Sequence, residues 1–192
     1  MKIGVLAAQG AFAEHIDTLR KLDTEAQPVR LPKDLQGVDG LIIPGGETTT
    51  ISRLVRAYDL VPAILNKVTG GMPVFGTCAG MILMARRISG NNTPTLGLMD
   101  IKVRRNAFGR QVDSFETDLD IPAIGEEPYP AVFIRAPFIE EYDKGVQVLA
   151  KLPDGTVVAV RQGNLLATAF HPELTEDLRF HRYFLDMVAG RK

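Results

Sequence analysis

The chain has 192 residues, 45% of them hydrophobic and 23% charged, and its formal net charge is -1. That is the composition of a globular protein with a substantial core, and without a basic block it carries no electrostatic footprint for nucleic acid. No apolar run approaches the roughly 20 residues that span a bilayer, and Met1-Lys2-Ile3-Gly4-Val5-Leu6 reads as a strand rather than a signal peptide.

In chain order, residues 2–7 form a continuous apolar strand of the kind buried in a parallel sheet. Residues 12–22 come next with helical spacing, Phe12, Ile16 and Leu19 sharing one face. Short strands are predicted over 28–31 and 40–44, and helices over 48–58 and 60–68. A strand over 73–75 leads into a helix over 79–88. Such βα repetition predicts a parallel sheet covered on both faces, a three-layer α/β sandwich. The second half changes character, with strands predicted over 101–104, 111–119, 131–135, 146–152, 156–161 and 165–170. Pro153-Asp154-Gly155 and Gln162-Gly163-Asn164 are turn signals that make part of this half antiparallel. A helix over 176–188 comes last. No linker or repeat interrupts the chain, so residues 1–192 are expected to form one domain.

The one cysteine carries the chemistry. Cys78 lies in Pro73-Val74-Phe75-Gly76-Thr77-Cys78-Ala79-Gly80-Met81, a strand, a tight turn and a helix in the layout of a nucleophile elbow. Gly76 and Gly80 supply the small neighbours such a turn needs. A thiol at the first turn of a helix gains thiolate character. A single cysteine forms no internal disulfide and fits a reducing cytoplasm. A buried cysteine is more often a small hydrophobe, but a core thiol has no need for flanking glycines or a strand-to-helix switch.

Of the three histidines, His171 ends the apolar run Leu165-Leu166-Ala167-Thr168-Ala169-Phe170. A strand there would project it from the carboxyl edge of the sheet, where open α/β sheets place their sites. Pro172 favours an extended His171, so Glu173 falls on the same side and can orient the imidazole as the base for Cys78. His15 and His181 fall inside helical patterns and are expected to be structural, although His15, near the end of the first strand, could instead line the site or a partner surface. The backbone N–H of Ala79 is one oxyanion donor. Gly46, in Pro44-Gly45-Gly46-Glu47-Thr48, is the second candidate; Thr48-Thr49-Thr50 equally reads as a hydroxyl-capped helix start. Arg135 puts a charge in an otherwise apolar strand, suited either to a substrate carboxylate or to a surface acid. No phosphate loop is present, and one cysteine with no histidine pair at ligand spacing predicts no metal or cofactor site.

The Gly-x-Cys-x-Gly elbow, the Pro-Gly-Gly segment and the late His-Pro-Glu together resemble the triad (class I) glutamine amidotransferases, in that family's order. Ala8-Gln9-Gly10-Ala11-Phe12-Ala13-Glu14-His15, Pro44 to Thr50, Gly76 to Gly80, Arg105-Asn106-Ala107-Phe108-Gly109-Arg110-Gln111, Phe133-Ile134-Arg135-Ala136-Pro137 and Phe170 to Leu174 resemble more narrowly the PdxT/SNO family, glutaminase subunits of pyridoxal 5'-phosphate synthase. The resemblance implies a flavodoxin-like fold and hydrolysis of L-glutamine to L-glutamate and ammonia, which passes to a synthase subunit in a large complex. By position it makes Cys78, His171 and Glu173 the triad. It lays Gly46, Glu47 and Thr48 along the bound glutamine, frames that substrate with Arg105, Ile134 and Arg135, and links the Gln9-Gly10 peptide to the oxyanion hole once the synthase docks. Thr48 departs from the family's usual serine by one methyl. The features span the chain and leave no room for an ammonia-accepting domain, so the acceptor is expected to be another polypeptide. A glutaminase serving histidine, purine or anthranilate synthesis is the alternative; the Arg-Asn-x-Phe-Gly-Arg-Gln block argues against it.

Overall fold

A computed structural model describes residues 1–90, 92–105 and 114–191. Its centre is a ten-stranded sheet. Strands β1 (Lys2–Leu6), β2 (Glu25–Val29), β3 (Gly40–Ile43), β4 (Val74–Thr77) and β12 (Leu165–Thr168) form the parallel part, in the order β2-β1-β3-β4-β12. β3, β4 and β12 are buried along their whole length, which is why they read as unbroken apolar runs. Beyond β12 the order continues β11 (Val157–Gln162), β9 (Phe138–Tyr142), β6 (Met99–Arg104) and β5 (Ala85–Ser89), with β10 (Gln147–Lys151) also paired to β11. The β10–β11 and β11–β12 hairpins are antiparallel and turn at the two Gly-containing signals. β7 (Ser114–Leu119) and β8 (Tyr129–Ile134) form a separate antiparallel ribbon.

Helices cover both faces of the sheet. α1 (Phe12–Lys21) and α5 (Arg179–Val188) share one face, where Phe75 packs against Phe180 and Phe184 and His15 meets His181. α2 (Thr48–Ala57), α3 (Leu60–Thr69) and α4 (Ala79–Met84) take the other. Alternation along β4 decides which face each residue serves: Phe75 and Thr77 look toward α1 and α5, and Gly76 toward α4.

Several elements depart from expectation. β2 lies over 25–29 rather than 28–31, because this edge strand pairs from Glu25 against Lys2 and an edge tolerates Pro28. The helix predicted over 79–88 ends at Met84, and residues 85–89 form β5, parallel to β6. That pairing is non-local, and Arg86 and Arg87 reach acids on β6 and β9 rather than on a helix face. β9 has no clear sequence signal, since Pro137 and the Glu140-Glu141 pair disguise it. Those acids face Lys102 and Arg104 on the neighbouring strand. Residues 111–113 of one predicted strand, and residues 106–111 of the Arg105–Gln111 block, lie outside the described residues.

Candidate active site

The ladder between β4 and β12 sets Thr77 opposite Thr168. The Cys78 N–H, one residue further, donates to the Thr168 carbonyl at 2.8 Å. Two adjacent parallel strands therefore end at the same level, and the loops beyond them emerge on the same edge of the sheet. Cys78 turns the chain there with φ 49° and ψ -105°. A non-glycine residue with that backbone persists only where its surroundings hold it. The hold is steric: a β-carbon at Gly80 would lie 1.9 Å from the Ile43 carbonyl oxygen, and one at Gly76 2.5 Å from the Met84 sulfur. Any side chain at either position would push α4 off the sheet and move the thiol with it.

His171 leaves the end of β12, its N–H donating to the Val132 carbonyl at 2.9 Å, so β8 anchors it as well. Its side chain hydrogen-bonds Cys78, and its Nδ1 lies 2.7 Å from Glu173 Oε1. Glu173 sits on a 3₁₀ turn, Pro172–Leu174, which brings its carboxylate under the ring. Burial opposes a charge on His171, but the hydrogen bonds to Cys78 and Glu173 outweigh it and raise its pKa to about 10. Burial likewise opposes ionisation of Glu173, yet His15 and His171 hold its carboxyl below the usual range. The imidazole has little room to leave: a β-carbon at Gly45 would sit 2.4 Å from its Cε1. Gly10, with φ 99°, lies behind Gly45, where a β-carbon would fall 1.9 Å from the Gly45 oxygen. The Pro-Gly-Gly segment thus packs the imidazole in place.

A cavity of about 490 Å³ opens beside the thiol, lined by Gln9, Gly46, Glu47, Thr48, Cys78, Ala79, Ile82, Arg105, Ile134, Arg135 and His171. That size suits a small metabolite. Of the residues singled out in the sequence, Gly10 and Glu173 stand off this wall, behind Gly45 and His171. Ile82, one turn along α4, joins it without a sequence signal beyond its helical spacing from Cys78. Gln9 Oε1 accepts from the Glu47 N–H at 2.7 Å. Glu47, not a threonine hydroxyl, caps α2, accepting from the Thr49 and Thr50 N–H groups at 3.1 and 2.6 Å. Bonding to Thr50 outweighs partial burial and lowers its pKa to about 2, and Arg105 lies 3.5 Å away. Arg135 is not inside a strand: β8 stops at Ile134, and Arg135 turns at φ 42° with its side chain exposed at the cavity. The charge that looked out of place in an apolar strand is a loop residue on the cavity rim.

The two histidines expected to be structural are fully buried beneath this site. His15 Nε2 lies 3.3 Å from Glu173 Oε2, and His15 Nδ1 lies 2.9 Å from His181 Nε2. Their helical patterns in sequence gave no sign that α1 and α5 would bring them together.

A cysteine elbow and a histidine–glutamate pair, side by side on the carboxyl edge of a parallel α/β sheet, suit a cysteine-nucleophile enzyme of the class that includes the glutamine amidotransferases. Similarity to known proteins narrows it. The model of the SNO glutamine amidotransferase family matches residues 5–190, and the chain belongs to that family. It is 59% identical over 188 residues to the pyridoxal 5'-phosphate synthase subunit PdxT of Moorella thermoacetica, covering 98% of this chain and 100% of the relative. The corresponding subunit of Carboxydothermus hydrogenoformans is 58% identical, with 98% of each chain covered. Among solved structures, one described as a glutamine amidotransferase superposes with a TM-score of 0.93 at 49% identity, over 97% of this chain and 98% of that one. The PurLQS structure from Thermotoga maritima, at 16% identity and a TM-score of 0.73 over 96% of this chain and 97% of that one, shares the fold.

Proposed function

We propose that this chain is the glutaminase subunit of a pyridoxal 5'-phosphate synthase, acting as one domain over residues 1–192. It hydrolyses L-glutamine to L-glutamate and ammonia and hands the ammonia to the synthase subunit. The observation that carries the chemistry is the unbroken contact from Cys78 through His171 to Glu173 at the mouth of a cavity of amino-acid size. The relatives' names supply the pathway.

In this reading the Cys78 thiolate attacks the side-chain amide carbon of glutamine. The oxyanion that forms is met by the Ala79 N–H and by a second backbone donor. Gly46 fits that second role: the Gly45 carbonyl accepts from the Ala11 N–H, and a trans peptide directs the Gly46 N–H the opposite way. The His171 imidazolium gives its proton to the amide nitrogen, the C–N bond breaks and ammonia leaves a γ-glutamyl thioester. Neutral His171 then takes a proton from water as the hydroxide adds to the thioester carbon. Collapse expels the thiolate and releases glutamate. Glu173 stabilises the imidazolium without itself taking the proton. Arg105 and Arg135 at the rim suit the α-carboxylate of the substrate, and Glu47 its α-ammonium.

The test is a glutaminase assay of the wild type and Cys78→Ala, each with and without a pyridoxal phosphate synthase subunit. The expected result is ammonia and glutamate from wild type alone, with the rate raised by the synthase. Activity surviving in Cys78→Ala would overturn the mechanism. Indifference to that synthase, with stimulation by a synthase of another pathway, would overturn the assignment of partner.

A further inference from the structure

Glu173 uses one carboxylate oxygen, Oε1, on His171. The other, Oε2, is sealed from solvent and has no aligned hydrogen bond among the described residues. His15 Nε2 lies 3.3 Å from it and 3.2 Å from the Thr77 hydroxyl. On its far side, His15 Nδ1 lies 2.9 Å from His181 Nε2, and His181 Nδ1 is buried without a partner among the described residues. α1, distant in sequence, thus meets the turn after β12 and α5 in a polar chain within an apolar core whose nearest ring is Phe75.

The proton placements can be resolved by counting donors. Suppose His15 carries its proton on Nε2. It then points at Thr77 and Glu173, and Nδ1 accepts from the His181 Nε2–H. Left over are a bare ring nitrogen on His181 and the proton of the Thr77 hydroxyl, whose oxygen also accepts from the Gly45 N–H at 3.1 Å. The reverse placement turns a lone pair of His15 toward an ionised carboxylate oxygen and leaves a buried His181 N–H with nothing to bond, which costs more. The groups facing His15 are Glu173 and His171 from the strand end, His181 from α5 and Glu14 on its own helix. Burial, the largest influence, keeps both His15 and His181 below the usual histidine range. Both are therefore neutral donors rather than counter-charges.

We propose that His15, set in its tautomer by His181, is a positioning residue for the triad: its Nε2–H, bonded to Thr77 and 3.3 Å from Glu173 Oε2, presents its positive edge to the carboxylate and holds it so that Oε1 stays on His171 Nδ1. This rests on the reading of Cys78, His171 and Glu173 as the reacting groups. A carboxylate with one free oxygen could swivel, and its buried charge would be served by His171 alone. Removing the His15 donor makes ionised Glu173 less stable, and the imidazolium of His171 loses part of its support.

The experiment measures His15→Leu, His15→Gln and His181→Phe as full chains in complex with the synthase subunit. Glutamine kcat and KM are read, with the His171 ring titration followed by NMR on the same chains. Gln can restore an N–H near the position of Nε2. In His15→Leu, kcat should fall about 10²-fold, the scale of a displaced catalytic group, with KM within about two-fold and the His171 midpoint moved down. His15→Gln should recover at least about ten-fold of the loss, and His181→Phe should show a smaller fall in the same direction. If His15→Leu does not fold, His181→Phe carries the test on the same readouts. A lowered melting temperature with kcat of the folded protein and the His171 midpoint unchanged would mean a packing role only and would overturn the proposal. Failure of the underlying mechanism is distinguishable, because it would appear as glutaminase activity in Cys78→Ala.

Discussion

Cys78 and His171 stand on the tips of β4 and β12, whose ladder fixes their relative height. Across the same cavity, Glu47, Arg105 and Arg135 stand on loops or at a helix start, and their side chains reach solvent. The first group is held by backbone hydrogen bonds and by contacts that leave no space for a β-carbon. The second is held by long side chains and one exposed ion pair, which contributes little by itself. The two regions divide the labour. On the proposed mechanism the strand tips set the geometry of the reacting atoms, to which the rate is acutely sensitive. On the same reading the rim supplies charge for a bound amino acid.

Substitutions put this contrast at risk. The largest effect is expected from Cys78→Ala, which should reduce glutaminase turnover to background while leaving glutamine binding measurable by calorimetry. Next is Gly45→Ala, whose methyl would intrude on His171. It should lower kcat by about 10²-fold with little change in KM, and its crystal structure should show a displaced imidazole. A rise in KM alone would mean that the Pro-Gly-Gly segment serves substrate rather than base. Third, Arg135→Ala removes a charged hydrogen-bond donor worth about 1.5–3 kcal/mol when engaged. It should raise KM about ten-fold or more with kcat nearly unchanged, as steady-state kinetics would reveal. A collapse in kcat instead would erase the distinction between rim and strand tips.

The smallest effects concern pH. Cys78 helps hold the His171 pKa at about 10, so in Cys78→Ala the ring should titrate at lower pH, seen as a downward shift of its NMR midpoint. The raised value also sets a sign for stability: the contribution of charged His171 is complete below about pH 6.5 and is lost as pH rises toward 10. Glu47 has the opposite sign. Its lowered pKa makes the α2 cap fully effective above about pH 4.5 and weakens it as pH falls toward about 2. Glu47→Ala should cost about 1 kcal/mol at neutral pH and less in acid, which thermal melts across pH would check.

The regions that were legible in the sequence share one property: their signal is local. The elbow announces itself because a strained turn between strand and helix needs small residues at fixed offsets around Cys78. The candidate acid is readable from its place two residues after His171, although the structure brings Glu173 to the ring through a 3₁₀ turn rather than the extended stretch that Pro172 led one to expect. The parallel strands show as apolar runs because both their faces are buried. Signals failed where the partner was remote. Residues 85–89 look helical until β6 arrives to pair with them, and β9 hides behind acids whose reason is the basic residues of β6.

The order of residues alone was enough to single out Cys78, His171 and Glu173 as candidates, to give the class of fold and, through the resemblance, the family, since each rests on residue types at short and fixed spacing. It took the packed molecule to show that Gly45 wedges the imidazole, that Arg135 is a rim residue rather than a strand residue, and that His15 and His181 meet beneath Glu173. Those are contacts between segments up to 166 residues apart, created when helices pack on one face of a twisted sheet. No local pattern encodes them, because each partner satisfies its own helix or strand equally well without the other.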